Sequence, residues 1–330
     1  MRNINFPRSL RRRAYRAGGL AGRLLFGFPL STIFLAAFPS IVFLSCATVS
    51  LVDGRPLAVA ALPGDVRPLW RPFPGDDAGM TDGCLAYFAG RVSQPRLEFH
   101  ALRICIASPA LRVVAAGGKR GDGSDEILST RVSSFVRDNG LLAGINALPF
   151  SPVSGREGEP RANVGIVVSD GRLISPPAPQ FDALVLFEDG SAAIKSQSDI
   201  SCAEGIASAV GGFRRVLEGY ELAPRVLGLQ ARHPRSAAGI SSCGRFLYLL
   251  AIDGRRRGSI GATEAEIALL LRALGAAEGI NFDGGGSTSL ALRFPDGRIR
   301  VVNTPIHRQI PGRERAVAGV LGIERRACGQ

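Results

Sequence analysis

Apolar and polar positions along this chain fall mostly into short alternating runs broken by turn residues, the pattern of strands and hairpins. Leu97–Ile106 and Leu111–Ala115 read as β segments split at Ser108-Pro109. Leu141–Ala147 reads as a buried strand ending in Asn146. Val164–Val168 with Arg172–Ser175 flanks Asp170-Gly171, and Ala183–Phe187 with Ala192–Lys195 flanks Asp189-Gly190; both are hairpin signatures. Ser236–Ser241 and Phe246–Ile252 form another strand pair, and Ala316–Ile323 is a closing strand. Helical spacing is rarer. Thr130–Asn139 carries Val132, Phe135 and Val136 on one face, with Ser129 or Thr130 as cap. Ser201–Leu217 is biased to helix despite Gly211-Gly212. Thr263–Leu274 is the clearest helix, with a capping box from Thr263 to Glu266 and a stop at Gly275. Many hairpins with few helices predict an α+β fold: a mixed, hairpin-rich sheet core with a few helices in a single domain.

Composition changes this picture at the N-terminus only. The chain has 330 residues, 46% of them hydrophobic, and a net charge of +12. Seven arginines and no acid lie in residues 1–45, so the remainder carries 12 − 7 = +5. That modest excess comes without an aromatic-interleaved basic patch, so nucleic acid is not an expected partner. An arginine-rich flank leading into the uncharged Leu24–Cys46 predicts export. Phe43-Leu44-Ser45-Cys46 resembles a lipoprotein processing site, so a lipid anchor at Cys46 is favoured over a retained transmembrane helix. The expected organisation is an export segment over residues 1–46, a linker or irregular lead-in over 47–82 with ordered structure from about Leu85, and a catalytic domain over 83–330. The chain has six cysteines, and none forms a CxxC pair, which disfavours a zinc knuckle.

Candidate chemistry concentrates at Gly279-Ile280-Asn281-Phe282-Asp283-Gly284-Gly285-Gly286-Ser287. An apolar strand ends at an acid, and Gly284, Gly285 and Gly286 then permit a turn whose amides can cradle an anion. Asp253 also ends a strand, and Glu266 lies one turn into the intervening helix. If those strands are neighbours, three carboxylates come to one edge, as hydrolysis at an anomeric carbon requires. Taken singly, Asp253 is equally a turn residue and Glu266 a capping acid. Arg235 stands immediately before a strand and can clamp phosphate oxygens. Asn146 can orient a sugar hydroxyl, and His307 can serve as a ligand or proton shuttle. No cofactor is required. A cluster of aspartates beside phosphate can also hold Ca²⁺ or Mg²⁺.

Five segments occur in order: Asn146, His233-Pro234-Arg235-Ser236-Ala237-Ala238-Gly239, Ile252-Asp253-Gly254-Arg255, Thr263-Glu264-Ala265-Glu266 and Asn281-Phe282-Asp283-Gly284-Gly285-Gly286-Ser287. Together they resemble the phosphodiester glycosidase family over roughly residues 95–325. The resemblance implies an α+β domain that hydrolyses sugar 1-phosphodiesters. On this chain it implies Asp283, Glu266 and Asp253 as catalytic groups, with Asn146, Arg235, Gly284, Gly285, Gly286 and Ser287 binding a phosphorylated glycan; His307, outside those segments, is a further candidate on the binding side. One departure stands out: Asn146-Ala147-Leu148-Pro149-Phe150 carries Leu148-Pro149 where the family has glycine, which predicts a different pocket mouth. The expected activity is therefore that of an exported, membrane-tethered hydrolase. The alternative is a non-catalytic envelope module that binds a phosphorylated glycan or polysaccharide precursor.

Overall fold

Sheets dominate the architecture. A computed structural model describes residues 57–59, 70–74, 81, 83–117, 127–153 and 156–326. The export segment and Cys46 lie outside the described residues. Three principal sheets are present, and nearly all their pairings are antiparallel. The largest runs Leu57–Val59, Leu85–Val92, Leu97–Cys105, Phe246–Ile252, Arg235–Ile240, Glu278–Asn281, Arg214–Glu218, Glu221–Leu222, with Arg71–Pro72 added beside Leu85–Val92. A second places Arg172–Ser175, Val167–Ser169, Ile206–Gly211, Asp182–Phe187 and Ala192–Ser196 side by side. A third places Ile299–Val301, Leu290–Arg293, Ala143–Asn146, Gly319–Arg325 and Leu111–Gly117 in that order. Only two α-helices occur among the described residues, Val132–Asp138 and Glu264–Leu274. The hairpin-rich sheet core with few helices is as expected, and the fold is β-rich rather than α+β.

Inner faces of all three sheets meet in one core. Leu102, Leu249 and Ile280 from the first sheet pack with Val167, Leu184 and Val210 from the second and with Ile145, Leu290 and Leu321 from the third. Burial of this apolar surface is the main stabilising term. The opposite face of the large sheet is covered by the Glu264–Leu274 helix through Ile267, Leu270, Leu271 and Leu274. The Val132–Asp138 helix covers the outer face of the third sheet through Val132, Phe135 and Val136.

Two expectations are corrected here. Ser201–Leu217 is not helical: it forms the strands Ile206–Gly211 and Arg214–Glu218. Its small residues suggest helix, but Ile206–Gly211 is a central strand paired on both sides and buried nearly throughout. A strand covered on both faces loses its alternation and reads as an unpatterned apolar run. Ordered structure also begins earlier than Leu85. Leu57–Val59 and Arg71–Pro72 both pair with Leu85–Val92, and the Trp70 ring lies 5.9 Å from that of Phe88. Phe73 is buried in the central core. Both departures arise because tertiary burial overrides local composition.

The better-patterned helix forms as expected. Thr263 Oγ1 accepts from Glu266 N at 3.2 Å, Glu266 Oε2 accepts from Thr263 N at 2.9 Å, and Gly275 closes the helix at φ 111°. The shorter helix is not capped by Ser129 or Thr130. Its cap position is Arg131, and Glu314 instead receives Ser133 N at 3.2 Å. A carboxylate at that end suits the helix dipole. Replacing Thr263 with Ala removes half of the capping box; the expected loss of about 1 kcal/mol is read from the shift in urea midpoint at constant slope, and an unchanged midpoint contradicts the cap.

Candidate active site

Strand ends position the site. Arg235 begins the Arg235–Ile240 strand and pairs with Ile252, the last residue of its neighbour; Ala237 pairs with Asn281, the last residue of the other neighbour. Antiparallel pairing therefore brings Arg235, Asp253 and Asp283 to one end of the large sheet. The glycine turn folds back on the first of these strands: Phe282 N donates to Ser236 O and Gly285 N donates to Pro234 O, each at 2.8 Å. Gly285 takes φ +62°, a left-handed value that glycine adopts freely. A side chain at Gly286 would fall 2.4 Å from Arg315 Nη2, so the guanidinium lies directly against the bare backbone.

Asn146 fixes the turn from the third sheet. Its Oδ1 accepts from Ser236 Oγ at 2.6 Å and from Ser289 N at 3.0 Å, and its Nδ2 donates to Asp283 O at 2.6 Å. The side chain is 1% exposed. Both ends of the amide are thus engaged in joining the two sheets, a different task from orienting a sugar hydroxyl. Leu148 is likewise buried, against Gly319, so this departure from the family pattern alters packing and not a pocket mouth.

Asp283 is the carboxylate left at the turn. Burial pushes its carboxyl up to about 6, against the lowering effects of the Ser287 hydroxyl, the Arg315 guanidinium and the Gly284 amide. Part of its surface stays open to solvent. Asp253 and Glu266 have other partners. Asp253 is 1% exposed; Oδ1 accepts from Thr304 N at 2.8 Å and from Asn303 Nδ2 at 3.3 Å, while Oδ2 accepts from Arg256 Nη2 at 2.6 Å. Glu266 completes the capping box and holds Arg232 bidentately, at 2.8 and 2.6 Å. The expected trio of free carboxylates at one edge therefore reduces to Asp283, because strand-end and helix-start acids are drawn into local hydrogen bonding.

Guanidinium groups surround the turn. Arg235 is 9% exposed and anchored by donating to Ala262 O and Ala231 O, each at 3.1 Å. Arg255 is exposed, holds φ 57°, and donates from Nη2 to His233 Nδ1 at 3.3 Å. Its guanidinium lies over Gly285 as that of Arg315 lies over Gly286. The charge of Arg255 lowers the proton affinity of both Arg235 and Arg315. Burial contributes more than that repulsion in both. Three guanidinium groups facing a glycine turn form a candidate anion site.

His307 belongs to the same cluster. Arg315 Nε donates to His307 Nδ1 at 3.1 Å, and Arg315 Nη1 donates to Ser287 Oγ at 3.2 Å. Nδ1 is then an acceptor, so the neutral ring carries its proton on Nε2. Burial first, then Arg315, Arg313 and Arg308, hold its affinity for a second proton below the ordinary value. The ring is 3% exposed, and Nε2 has no protein partner. This is a fixed hydrogen-bond donor and not a proton shuttle near neutral pH.

Sequence reasoning passed over two of these residues. Arg255 stood in the quoted motif without a role, and Arg315 was hidden in the charged run Arg313-Glu314-Arg315. Only the fold brings that run to the turn. A divalent cation finds a poor fit here: beside Asp283 lie guanidinium groups, and among the described residues no three His, Cys, Asp or Glu side chains converge.

Comparison with known proteins bears on the fold and the family. A zebrafish N-acetylglucosamine-1-phosphodiester alpha-N-acetylglucosaminidase catalytic domain, auto-inhibited by its pro-peptide, superposes with a TM-score of 0.56 at 20% identity, covering 73% of this chain and 82% of that one. A hypothetical protein from Synechocystis matches with a TM-score of 0.55 at 16% identity, covering 73% of this chain and 62% of that one. A protein of Burkholderia pseudomallei named as exported matches with a TM-score of 0.50 at 16% identity, over 69% and 74%. These likenesses show the shared fold. No curated protein matches the sequence. The phosphodiester glycosidase family matches residues 139–324, more than half of the chain and every segment of the site from Asn146 to Arg315, and the chain belongs to that family.

Proposed function

We propose that this chain hydrolyses a sugar 1-phosphodiester, breaking the bond between the anomeric carbon and the phosphate oxygen. The observation that carries the reading is a single half-open carboxylate, Asp283, set against a turn ringed by Arg235, Arg255 and Arg315. An ordinary glycosidase needs two free carboxylates because its alcohol leaving group must be protonated. Here the leaving group is a phosphate monoester, whose dianion has a conjugate acid of pKa about 6, so it departs near neutral pH without a proton. One carboxylate and a cationic cradle then suffice: Asp283 supports the oxocarbenium-like centre or activates the water, and the arginines stabilise the departing charge. The Gly286 amide and the Nε2–H of His307 add neutral donors on the phosphate side, whereas the Gly285 amide already donates to Pro234 and the Gly284 amide and Ser287 hydroxyl to Asp283. Asn146, Asp253 and Glu266 are positioning residues in this scheme.

Export and tethering are parts of the same proposal. They rest on the arginine-rich flank, the uncharged run to Cys46 and the structural likeness to a protein named as exported. No helix among the described residues is long and apolar enough to cross a membrane. The reading places a lipid anchor at Cys46 and the domain in the cell envelope, acting on a phosphorylated glycan.

Three outcomes test the scheme. Incubation of the full chain with uridine diphosphate N-acetylglucosamine in ¹⁸O-water releases free sugar with the label on its anomeric carbon; label recovered in phosphate means P–O cleavage and ends the proposal. Asp283→Asn lowers turnover by about 10²–10⁴-fold, and wild-type rates in that variant refute the role. The base form of Asp283 is the working one, so kcat/KM falls about tenfold per pH unit below about 6 and levels off above it; a flat profile from pH 4 to 7 contradicts the assignment. The same burial opposes ionisation in the folded state, so the folded chain binds more protons than the unfolded one between the ordinary carboxyl value and about 6. Stability from this group is present at low pH and is lost as pH rises through that window. Asp283→Asn accordingly raises the thermal midpoint at pH 7.5, with the gain shrinking toward pH 4.

A further inference from the structure

Beneath the first turn of the Glu264–Leu274 helix lies a second polar cluster that the phosphate scheme leaves unused. Alternation along Glu278–Asn281 sets its faces. Ile280 joins the central core, while Gly279 packs against Leu271 of the helix. Asn281 therefore points to the helix side, where its direct cross-strand neighbours are Arg214 and Ala237. It is 1% exposed, and both amide atoms, Oδ1 and Nδ2, are buried without a protein partner. A buried amide left unpaired is costly, so a native structure keeps one where something else supplies the partner.

Glu264 stands over the same place. It is 7% exposed, and its Oε1 lies 3.7 Å from Arg235 Nη1 while its Oε2 lies 3.3 Å from Arg214 Nε. Oε2 makes no well-aligned hydrogen bond. Glu264 is thus held by charge at the N-terminus of the helix with accepting capacity to spare, whereas Glu266, two residues on, has none free. Asn281 is the last residue of its strand, and Asp283 follows two residues on, at the bend that opens the glycine turn.

We propose that Asn281, Glu264, Arg214 and Arg235 form the sugar-binding half of the site, with Glu264 as its specificity-determining residue. A carboxylate acceptor, an amide offering both donors and an acceptor, and guanidinium donors complement adjacent hydroxyls or an acetamido group. A second phosphate is disfavoured because Glu264 would repel it. Arg235 bridges the two halves, touching Glu264 on one side and the Arg255 field on the other. This assignment rests on the sugar 1-phosphodiester reading above and adds the side from which the sugar is held.

Calorimetry on the full chain tests it, with inorganic phosphate and N-acetylglucosamine 1-phosphate as probes. Wild type binds the sugar phosphate at least tenfold more tightly than inorganic phosphate. Glu264→Gln brings that ratio below about threefold while phosphate binds as tightly as before or more so. Arg214→Gln, at a side chain 38% exposed and tolerant of change, is the second variant should Glu264→Gln fail to fold; it too lowers the ratio. No preference in wild type, or an unchanged ratio in the folded variants, overturns the subsite. Glu264-dependent binding without any hydrolysis keeps the subsite and removes the hydrolase reading. Hydrolysis that is indifferent to both substitutions does the reverse.

Discussion

One buried amide ties the site to the fold. Asn146 ends a strand of the third sheet and reaches Ser236 in the first sheet, Ser289 beyond the glycine turn and the carbonyl of Asp283 itself. Every other feature of the site is referred to that junction. The turn closes back on Pro234 and Ser236, Arg235 sits between them, and Arg315 reaches the turn through Ser287. In a low-dielectric interior such a fully satisfied network is rigid, and a partly satisfied one is costly. The position thus tolerates neither an apolar residue nor a longer amide without loosening the turn.

Electrostatic preorganisation follows from this frame. Arg235 is anchored to two carbonyls, Arg315 to a histidine and a serine, and Arg255 is set by a left-handed backbone. None is free to collapse onto Asp283 and neutralise it. Burial is the larger cause of the lowered proton affinity of Arg235 and Arg315, and Arg255 adds a smaller repulsion to both. A turn ringed by fixed guanidinium groups is preorganised for an anion.

Much of this was legible in the sequence, and the reasons differ by element. Hairpins announced themselves through Asp170-Gly171 and Asp189-Gly190, and the Thr263 capping box fixed a helix start from four residues. The glycine turn and Arg235 stood out only as segments of one ordered motif, since either alone is a common turn or an exposed charge at a strand start. Ile206–Gly211 was not, since a strand covered on both faces carries no period. Arg315 was not, since a cation in a charged loop looks the same whether it meets solvent or a turn distant in sequence. Glu264 was passed over for Glu266 because the capping box is the stronger local signal, and local signals report local tasks.

That last contrast generalises. Asp253 and Glu266 stand where a catalytic acid is expected, at a strand end and in the first turn of a helix. Those same positions expose unpaired backbone amides and nearby arginines, which capture a carboxylate before any substrate does. Asp253 is bound by Thr304 and Arg256, and Glu266 by Thr263 and Arg232. Asp283 accepts from the Gly284 amide and the Ser287 hydroxyl, but no arginine hydrogen-bonds to it, because Arg315 and Arg235 are fastened elsewhere. A reactive carboxylate in this fold is therefore defined less by its own place on a strand than by how thoroughly its neighbours are already occupied.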